Sequence, residues 1–150
     1  MNSTRNSGAT VLVVDDQEML TILMCKTLES DGFRVLTANN GEDALTLCRR
    51  AETPVDLLVT DYRMPGMTGL ELARECCSLN DELRVLYISG SSPGDDLRDD
   101  LEAGGRAFLA KPFRQADFLR CAKAVLAMEP RAAQPREIQQ SRMERQSAEG

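Results

Sequence analysis

The stretch Val11-Leu12-Val13-Val14-Asp15-Asp16 is an apolar run that ends in two carboxylates. A continuous run of this kind fits a strand that is covered on both faces, as in the middle of a parallel sheet. Four further short apolar runs follow at 35–38, 57–59, 85–88 and 107–110, and segments of helical period separate them. Five βα units are the simplest organisation that this alternation predicts.

The segments between the runs predict amphipathic helices. Apolar residues between 20 and 28 follow the spacing of one helical face, and Gly32 closes that segment. Asn40 can cap the second helix, while Thr68 and Glu71 stand at capping-box spacing ahead of the third. The fifth helix carries its apolar stripe between 118 and 126 and should stop before the next proline.

The fourth helix has the thinnest apolar face. We expect it to begin at Ser92, with Pro93 at its first position. Few of its side chains look inward, namely Leu97, Leu101 and Ala103. Because so little burial holds it, we predict that it is the mobile element of the domain.

These units imply a single α/β domain of the flavodoxin-like, doubly wound (βα)5 type, with helices on both faces of a five-stranded parallel sheet. The mixed run Arg34–Ala38 suits an edge, and the more apolar runs suit the centre, so the strand order 2-1-3-4-5 is favoured. We predict that the domain spans 10–128, after a disordered arm over 1–9 and before a polar tail or linker stump over 129–150.

Composition excludes several classes of function. The formal net charge of −6 argues against a nucleic-acid partner, and the chain has no histidine for Ser-His, Cys-His or His-metal chemistry. The five cysteines show no CxxC spacing, and we interpret them as small buried hydrophobes in a reducing compartment. The first apolar run is too short for a signal peptide or a membrane span, so we expect a cytoplasmic protein with no membrane contact.

Polar side chains follow four of the predicted strands. Asp15 and Asp16 follow the first, Asp61 the third, Ser89 the fourth and Lys111 the fifth. Each alone has a structural explanation, such as a helix cap or a turn residue. Parallel strands end at one edge of a sheet, however, so these residues should converge there. Crowded carboxylates need a cation such as Mg²⁺, and an Asp nucleophile with a lysine and a metal suits phosphoryl transfer.

From about Thr10 to Met128 the chain resembles the receiver domain of two-component response regulators. The resemblance rests on four motifs in order: Val11-Leu12-Val13-Val14-Asp15-Asp16, Asp61-Tyr62-Arg63-Met64-Pro65-Gly66-Met67-Thr68-Gly69, Ile88-Ser89-Gly90 and Phe108-Leu109-Ala110-Lys111-Pro112-Phe113. The sequences of the last two motifs are most similar to those of receivers attached to hybrid sensor kinases.

The resemblance assigns a role to each residue of the predicted site. It implies that Asp61 is the phosphoacceptor. Asp15 and Asp16 would hold Mg²⁺ together with Asp61 and the backbone carbonyl of Arg63, and Mn²⁺ would substitute for it. Lys111 would pair with the phosphoryl group.

Further family features concern switching and backbone geometry. Ser89 would turn toward the phosphoryl group, and Phe108 would swing inward on activation. The peptide bond before Pro112 would be cis. Arg63 and Ser91 stand where side chains flank the phosphoryl group and tune its hydrolysis.

The same resemblance implies the partners. The phosphoryl donor would be a histidine kinase, a phosphotransfer protein or a small phosphodonor, and a downstream protein would bind the surface of the fourth helix, fifth strand and fifth helix. Whether the domain forms a homodimer is left open by the sequence.

The resemblance implies a signalling switch that is not a turnover enzyme. We weigh three alternatives against it: a Mg²⁺-dependent phosphatase or phosphotransferase with Asp61 as nucleophile, a flavodoxin-like nucleotide or flavin binder, and a degenerate receiver that only docks.

Overall fold

The structure is a computed structural model that describes residues 8–50, 52 and 54–130. Strands and helices alternate along the described chain in this order: β1 (Thr10–Val14), α1 (Glu18–Ser30), β2 (Arg34–Ala38), α2 (Gly41–Arg50), β3 (Leu57–Asp61), α3 (Gly69–Leu79), β4 (Arg84–Ser89), α4 (Asp95–Leu101), β5 (Arg106–Ala110) and α5 (Gln115–Leu126). The predicted arm over 1–9 and the tail over 129–150 fall almost wholly outside the described residues, so those boundaries stay predictions.

All five strands lie in one parallel sheet, in the order β2-β1-β3-β4-β5. This confirms the predicted flavodoxin-like topology. β1, β3 and nearly all of β4 are buried, whereas β2 at one edge and β5 at the other are only partly covered. Because the strands are parallel, the residues after β1, β3, β4 and β5 meet at a single edge.

Each central strand sends alternate side chains to opposite faces of the sheet. On one face, Val11 and Val13 of β1 pack with the buried residues of α1 and α5. On the other face, Leu12 and Val14 pack with those of α2, α3 and α4. The sheet is therefore covered on both sides, as its continuous apolar strands predict. Within the described chain, no helix combines the length and the apolar character that crossing a bilayer requires.

The predicted helix caps are present at α2 and α3. Asn40 accepts the backbone N–H of Asp43 through its side-chain oxygen, at 2.8 Å. Thr68 and Glu71 form a complete capping box, in which each side chain accepts the other residue's backbone N–H. The box fixes where α3 begins, directly after the loop that leaves β3.

The predicted start of α4 at Ser92 is wrong. The helix begins at Asp95, because Gly94 adopts an extended conformation (φ −80°, ψ −178°) and its carbonyl accepts the backbone N–H of Arg98 at 2.9 Å. Gly94 is therefore the N-cap, and Pro93 lies outside the helix. The first turn of the helix is acidic, with Asp95 and Asp96, which its dipole favours.

The inward face of α4 also differs from the prediction, because it includes a charged residue. Asp100 is buried together with Arg106 at the start of β5, and Asp100 Oδ2 lies 3.0 Å from Arg106 Nε. The hydroxyl of Tyr87 on β4 donates to the same carboxylate oxygen at 2.6 Å. Burial, followed by the charge of Asp100, raises the pKa of Tyr87 well above its usual value. The helix is thus attached to two strands by polar contacts as well as by Leu97.

We expect the replacement Arg106→Met to lower the free energy of unfolding by about 3–5 kcal/mol, because it removes the cation beside a buried carboxylate. Arg34→Met is the matched control, since Arg34 opens the other edge strand and is exposed. Its effect should stay within about 0.5 kcal/mol. Urea unfolding of both variants measures the difference, and equal losses would contradict a structural role for the buried pair.

Candidate functional site

Three carboxylates meet at the carboxyl end of the sheet. Asp15 and Asp16 directly follow β1, and Asp61 is the last residue of β3. One oxygen of each lies within 4.8 Å of the others. Asp15 is 1% exposed and Asp61 is 8% exposed, whereas Asp16 faces solvent. The parallel sheet thus brings together the three acids that the sequence predicts.

Lys111, which directly follows β5, closes the acid cluster from the other side. Its Nζ lies 3.1 Å from Asp15 Oδ2 and 3.4 Å from Asp61 Oδ2. Its backbone N–H donates to the carbonyl of Ser89 at 2.8 Å, so the residue is anchored to the end of β4. The Lys111–Pro112 peptide bond is cis. The ammonium is positioned to offset charge on two of the three acids.

The environment of Asp61 disfavours its charged form. Burial first, and then the charge of Asp15, raise the pKa of Asp61 above its usual value. Lys111 and a hydrogen bond from the backbone N–H of Arg63 act in the opposite direction but do not cancel the effect. In the absence of a further cation, ionising Asp61 in the folded protein therefore costs free energy.

The donor set fits a hard divalent cation. Oδ2 of Asp15 is buried and accepts no hydrogen bond from any residue that the structure describes, although the Lys111 ammonium lies 3.1 Å away. Its other oxygen accepts the backbone N–H of Gln17 at 2.8 Å. Three carboxylates against one ammonium leave an excess of negative charge, and oxygen donors of this kind suit Mg²⁺. The backbone carbonyl of Arg63 remains a predicted ligand.

The predicted switch residues lie near the acid cluster but do not contact Asp61 through a hydrogen bond. Ser89 is buried at the end of β4, and its hydroxyl oxygen accepts the backbone N–H of Ser91 at 3.1 Å. Phe108 is half-buried on β5, in register with Tyr87 of β4. The side chain of Arg63 is exposed beside the site.

Two residues at this edge had no role in the sequence prediction. Gln17 contacts both Asp15 and Lys111, because its side-chain oxygen accepts from the Lys111 ammonium at 3.2 Å. Gly69 begins α3 directly against β3, where an added Cβ would collide with the backbone carbonyl oxygen of Asp61. Gln17 directly follows the first motif and Gly69 ends the second, but only the packing reveals these contacts.

Comparison with known proteins identifies the family of this site. The model of the response regulator receiver domain matches residues 11–123. The chain belongs to the response regulator receiver family. Its acid cluster, Ser89 and Lys111 stand inside the matched region.

Individual relatives extend the comparison. The chain is 32% identical to the alkaline phosphatase synthesis transcriptional regulatory protein PhoP of Bacillus subtilis over 137 residues, which are 91% of this chain and 56% of that protein. It is 31% identical to sporulation initiation phosphotransferase F of the same organism over 103 residues, covering 69% of this chain and 82% of that one. The receiver domain of the hybrid histidine kinase CckA superposes with a TM-score of 0.66 at 27% identity, over 79% of this chain and 99% of that domain.

The chain spans about half the length of PhoP and of several other curated relatives. What it shares with them is the receiver domain. The similarity to a hybrid-kinase receiver agrees with the resemblance that the motifs after β4 and β5 carry.

In metal-free buffer, we expect the receiver with Asp61→Asn to melt at a higher temperature than the parent at pH 7. A carboxyl whose pKa is raised by folding stabilises the protein while protonated, and that contribution is lost as the pH rises through the folded-state pKa. The amide removes this loss, so the difference should shrink toward low pH. Calorimetry at several pH values, with chelator present, measures it; a variant less stable than the parent at pH 7 would contradict the electrostatic account.

Proposed function

We propose that this receiver domain is a phosphorylation-activated signalling switch, in which Asp61 accepts a phosphoryl group from a histidine kinase, a phosphotransfer protein or a small phosphodonor. The observation that carries the proposal is the cluster of Asp15, Asp16 and Asp61 against Lys111 at one sheet edge. Membership of the receiver family supports the same assignment.

The proposed reaction transfers one phosphoryl group. A carboxylate oxygen of Asp61 attacks phosphorus, an O–P bond forms, and the bond from phosphorus to the donor nitrogen or oxygen breaks with its electron pair leaving on the donor. Asp61 must be ionised for this step. Lys111 favours that state, and it lies close enough to neutralise charge on the transferred group.

Asp15, Asp16 and Asp61, with the backbone carbonyl of Arg63, would hold Mg²⁺ or Mn²⁺. When bound, the ion supplies positive charge to the phosphoryl oxygens and lowers the repulsion among the acids. The buried Oδ2 of Asp15, which accepts no hydrogen bond from the described residues, supports this ligand set. Gln17 supports it indirectly, because its backbone N–H holds the other oxygen of Asp15 in place.

The proposed switch begins at Ser89. Its oxygen accepts a hydrogen bond from Ser91, and its hydroxyl hydrogen is available to donate to a phosphoryl oxygen on Asp61. Movement of Ser89 would make room for Phe108 on the neighbouring strand. The ion pair between Asp100 of α4 and Arg106 of β5 links these two elements, so a shift of β5 would reach α4. We propose the α4–β5–α5 surface as the binding face for a downstream protein.

The charge of the chain supports a protein partner over nucleic acid, because the net charge is −6. We propose a cytoplasmic location, where histidine kinases and phosphotransfer proteins present their phosphoryl groups.

A Mg²⁺-dependent phosphatase or phosphotransferase is not favoured. Such an enzyme needs a second acid beside its nucleophile, and the residue two positions after Asp61 is Arg63. It also needs a cap over its substrate. The loop between β3 and α3 consists of residues 62–68 and is too short to form one. We therefore propose transfer to Asp61 and slow self-hydrolysis, without turnover of a free substrate.

Incubation with acetyl phosphate should add one phosphoryl group in the presence of Mg²⁺ and none in the presence of chelator. Asp61→Asn should abolish the addition, because it removes the nucleophile. Asp56→Asn is the matched control: Asp56 precedes the same strand at its other end, about 16 Å away by strand geometry, where it accepts the backbone N–H of Thr10. Intact-mass spectrometry measures the adduct, and labelling of Asp61→Asn to the parent level would refute the proposed acceptor.

We expect Lys111→Ala to slow labelling about 10-fold or more, because it removes the ammonium beside the acceptor. The fold should persist, since the variant deletes a partly exposed side chain. Lys123→Ala is the control, because it removes an ion pair with Asp31 on the face of α1 and α5. Rapid-quench labelling compares the variants; equal rates for both would show that Lys111 has no part in transfer.

A further inference from the structure

Two cysteine thiols lie against each other between α2 and α3. Cys48 stands in the last turns of α2, Cys76 stands in the second half of α3, and their sulfur atoms are 3.2 Å apart with a hydrogen bond between them. All five cysteines are free thiols. Only Cys76 is buried and the other four are half-buried, so the interpretation of all five as buried hydrophobes is wrong for four of them. The pair has no part in the phosphoacceptor site.

The thiol pair opens on a cavity between the carboxyl ends of the two helices. The cavity has a volume of about 240 Å³ and is lined by Cys48, Cys76, Pro54, Val55, Leu79, Asn80 and Leu83. Water occupies roughly 30 Å³ per molecule, so a small oxidant such as hydrogen peroxide fits the cavity. The two sulfur atoms are therefore close to each other, and the half-buried Cys48 can be reached from the cavity, whereas Cys76 is 1% exposed.

The two thiols differ in reactivity. The hydrogen bond between the two thiols lowers the pKa of Cys48, and the same hydrogen bond together with burial raises the pKa of Cys76. Burial raises the pKa of Cys25 on α1 and of Cys121 on α5. Cys48 is half-buried whereas Cys76 is 1% exposed, so an oxidant reaches Cys48 first, and its lowered pKa favours the nucleophilic thiolate. Cys76 lies 3.2 Å away, in position to react with the oxidised Cys48.

The neighbouring Cys77 points to a different element. Its sulfur accepts a hydrogen bond from Arg106 Nη2 of β5 at 3.0 Å. The adjacent cysteines of α3 are thus distinguished by their contacts, and Cys76 is the one that faces α2.

We propose that Cys48 and Cys76 are a redox modification site, where a peroxide converts the two thiols into a reversible disulfide that joins α2 to α3. The sulfur atoms must approach from 3.2 Å to about 2.05 Å for the bond to form. The ring that the bond closes, residues 48–76, contains the whole of β3 and the acceptor Asp61.

The reaction balances with one peroxide per disulfide. The Cys48 thiolate attacks one peroxide oxygen, the O–O bond breaks, and the released hydroxide takes up a proton to become water, leaving a sulfenic acid. The Cys76 sulfur then attacks the Cys48 sulfur and expels the hydroxyl as a second water. Two thiols lose two electrons and two protons, and the peroxide is reduced to two waters.

Peptide mapping tests the bond directly. The chain carrying Cys25→Ser and Cys121→Ser is treated with equimolar hydrogen peroxide, alkylated and digested with trypsin. We expect peptide 35–49 joined to peptide 75–84, with Cys77 alkylated, and release of both peptides by dithiothreitol. Cys77→Ser, the adjacent-residue control, should give the same cross-link. A cross-link through Cys77, or none while Cys48 is oxidised to sulfinic acid, would overturn the proposal.

The order of attack has its own test. In the parent chain, dimedone should trap little sulfenic acid, whereas in Cys76→Ser it should label Cys48. Cys76→Ala is run beside it, because a buried hydroxyl lowers stability. With limiting iodoacetamide at pH 7, Cys48 of the parent should react faster than Cys25, whose thiol pKa is raised by burial. Equal rates at Cys25 and Cys48, or no dimedone adduct in both variants, would overturn the assignment of Cys48 as the reacting thiol.

Discussion

Asp15 and Asp61 are two buried carboxylates on neighbouring strands that share a single ammonium, and the arrangement of the sheet edge depends on this excess of negative charge. Repulsion at such short range would separate flexible side chains, but here the ends of β1 and β3 hold them in place. Lys111 reaches both acids and compensates only part of the charge. The edge is thus built to receive positive charge and, with it, an anionic group that positive charge can hold.

A third buried acid, Asp100, has its charge fully compensated. Asp100 is also removed from solvent, but it meets the guanidinium of Arg106 and the hydroxyl of Tyr87 at hydrogen-bond distance. Arg106 Nη1 donates to the carbonyls of Leu83 and the glycines before β5, and Nη2 donates to the sulfur of Cys77. With its charge paired and hydrogen-bonded, Asp100 attaches α4 to the sheet. Asp100 is thus fully compensated, whereas Asp15 and Asp61 share one ammonium and retain an excess of negative charge.

The order of the strands, the two-sided core and the caps of α2 and α3 could be predicted because they depend on local patterns. Apolar runs mark strands, and Thr68 with Glu71 marks a helix start wherever it occurs. The convergence of Asp15, Asp16, Asp61 and Lys111 follows from the parallel sheet alone. These features need no knowledge of how side chains pack.

The features that the sequence did not predict depend on tertiary contacts. The sequence alone suggests that Asp100 is an exposed helix residue, because its partner Arg106 lies on the next strand. Likewise, α4 begins at Asp95 because Gly94 is extended, although Pro93 satisfies the usual rule for a helix start. The contact of Cys48 with Cys76 joins residues 28 positions apart and has no motif. The contact between Gln17 and Lys111 is likewise tertiary, because Lys111 follows the last strand of the sheet.

The most direct test of the shared charge site is a crystal structure of the protein with Mn²⁺, whose anomalous scattering locates the ion independently of the protein atoms. The account predicts one strong peak at the carboxyl end of β1 and β3, within about 2.2 Å of oxygen atoms from Asp15 or Asp16 and from Asp61. A crystal soaked to saturation with no peak there, or with its peak at another group of acids, would contradict it.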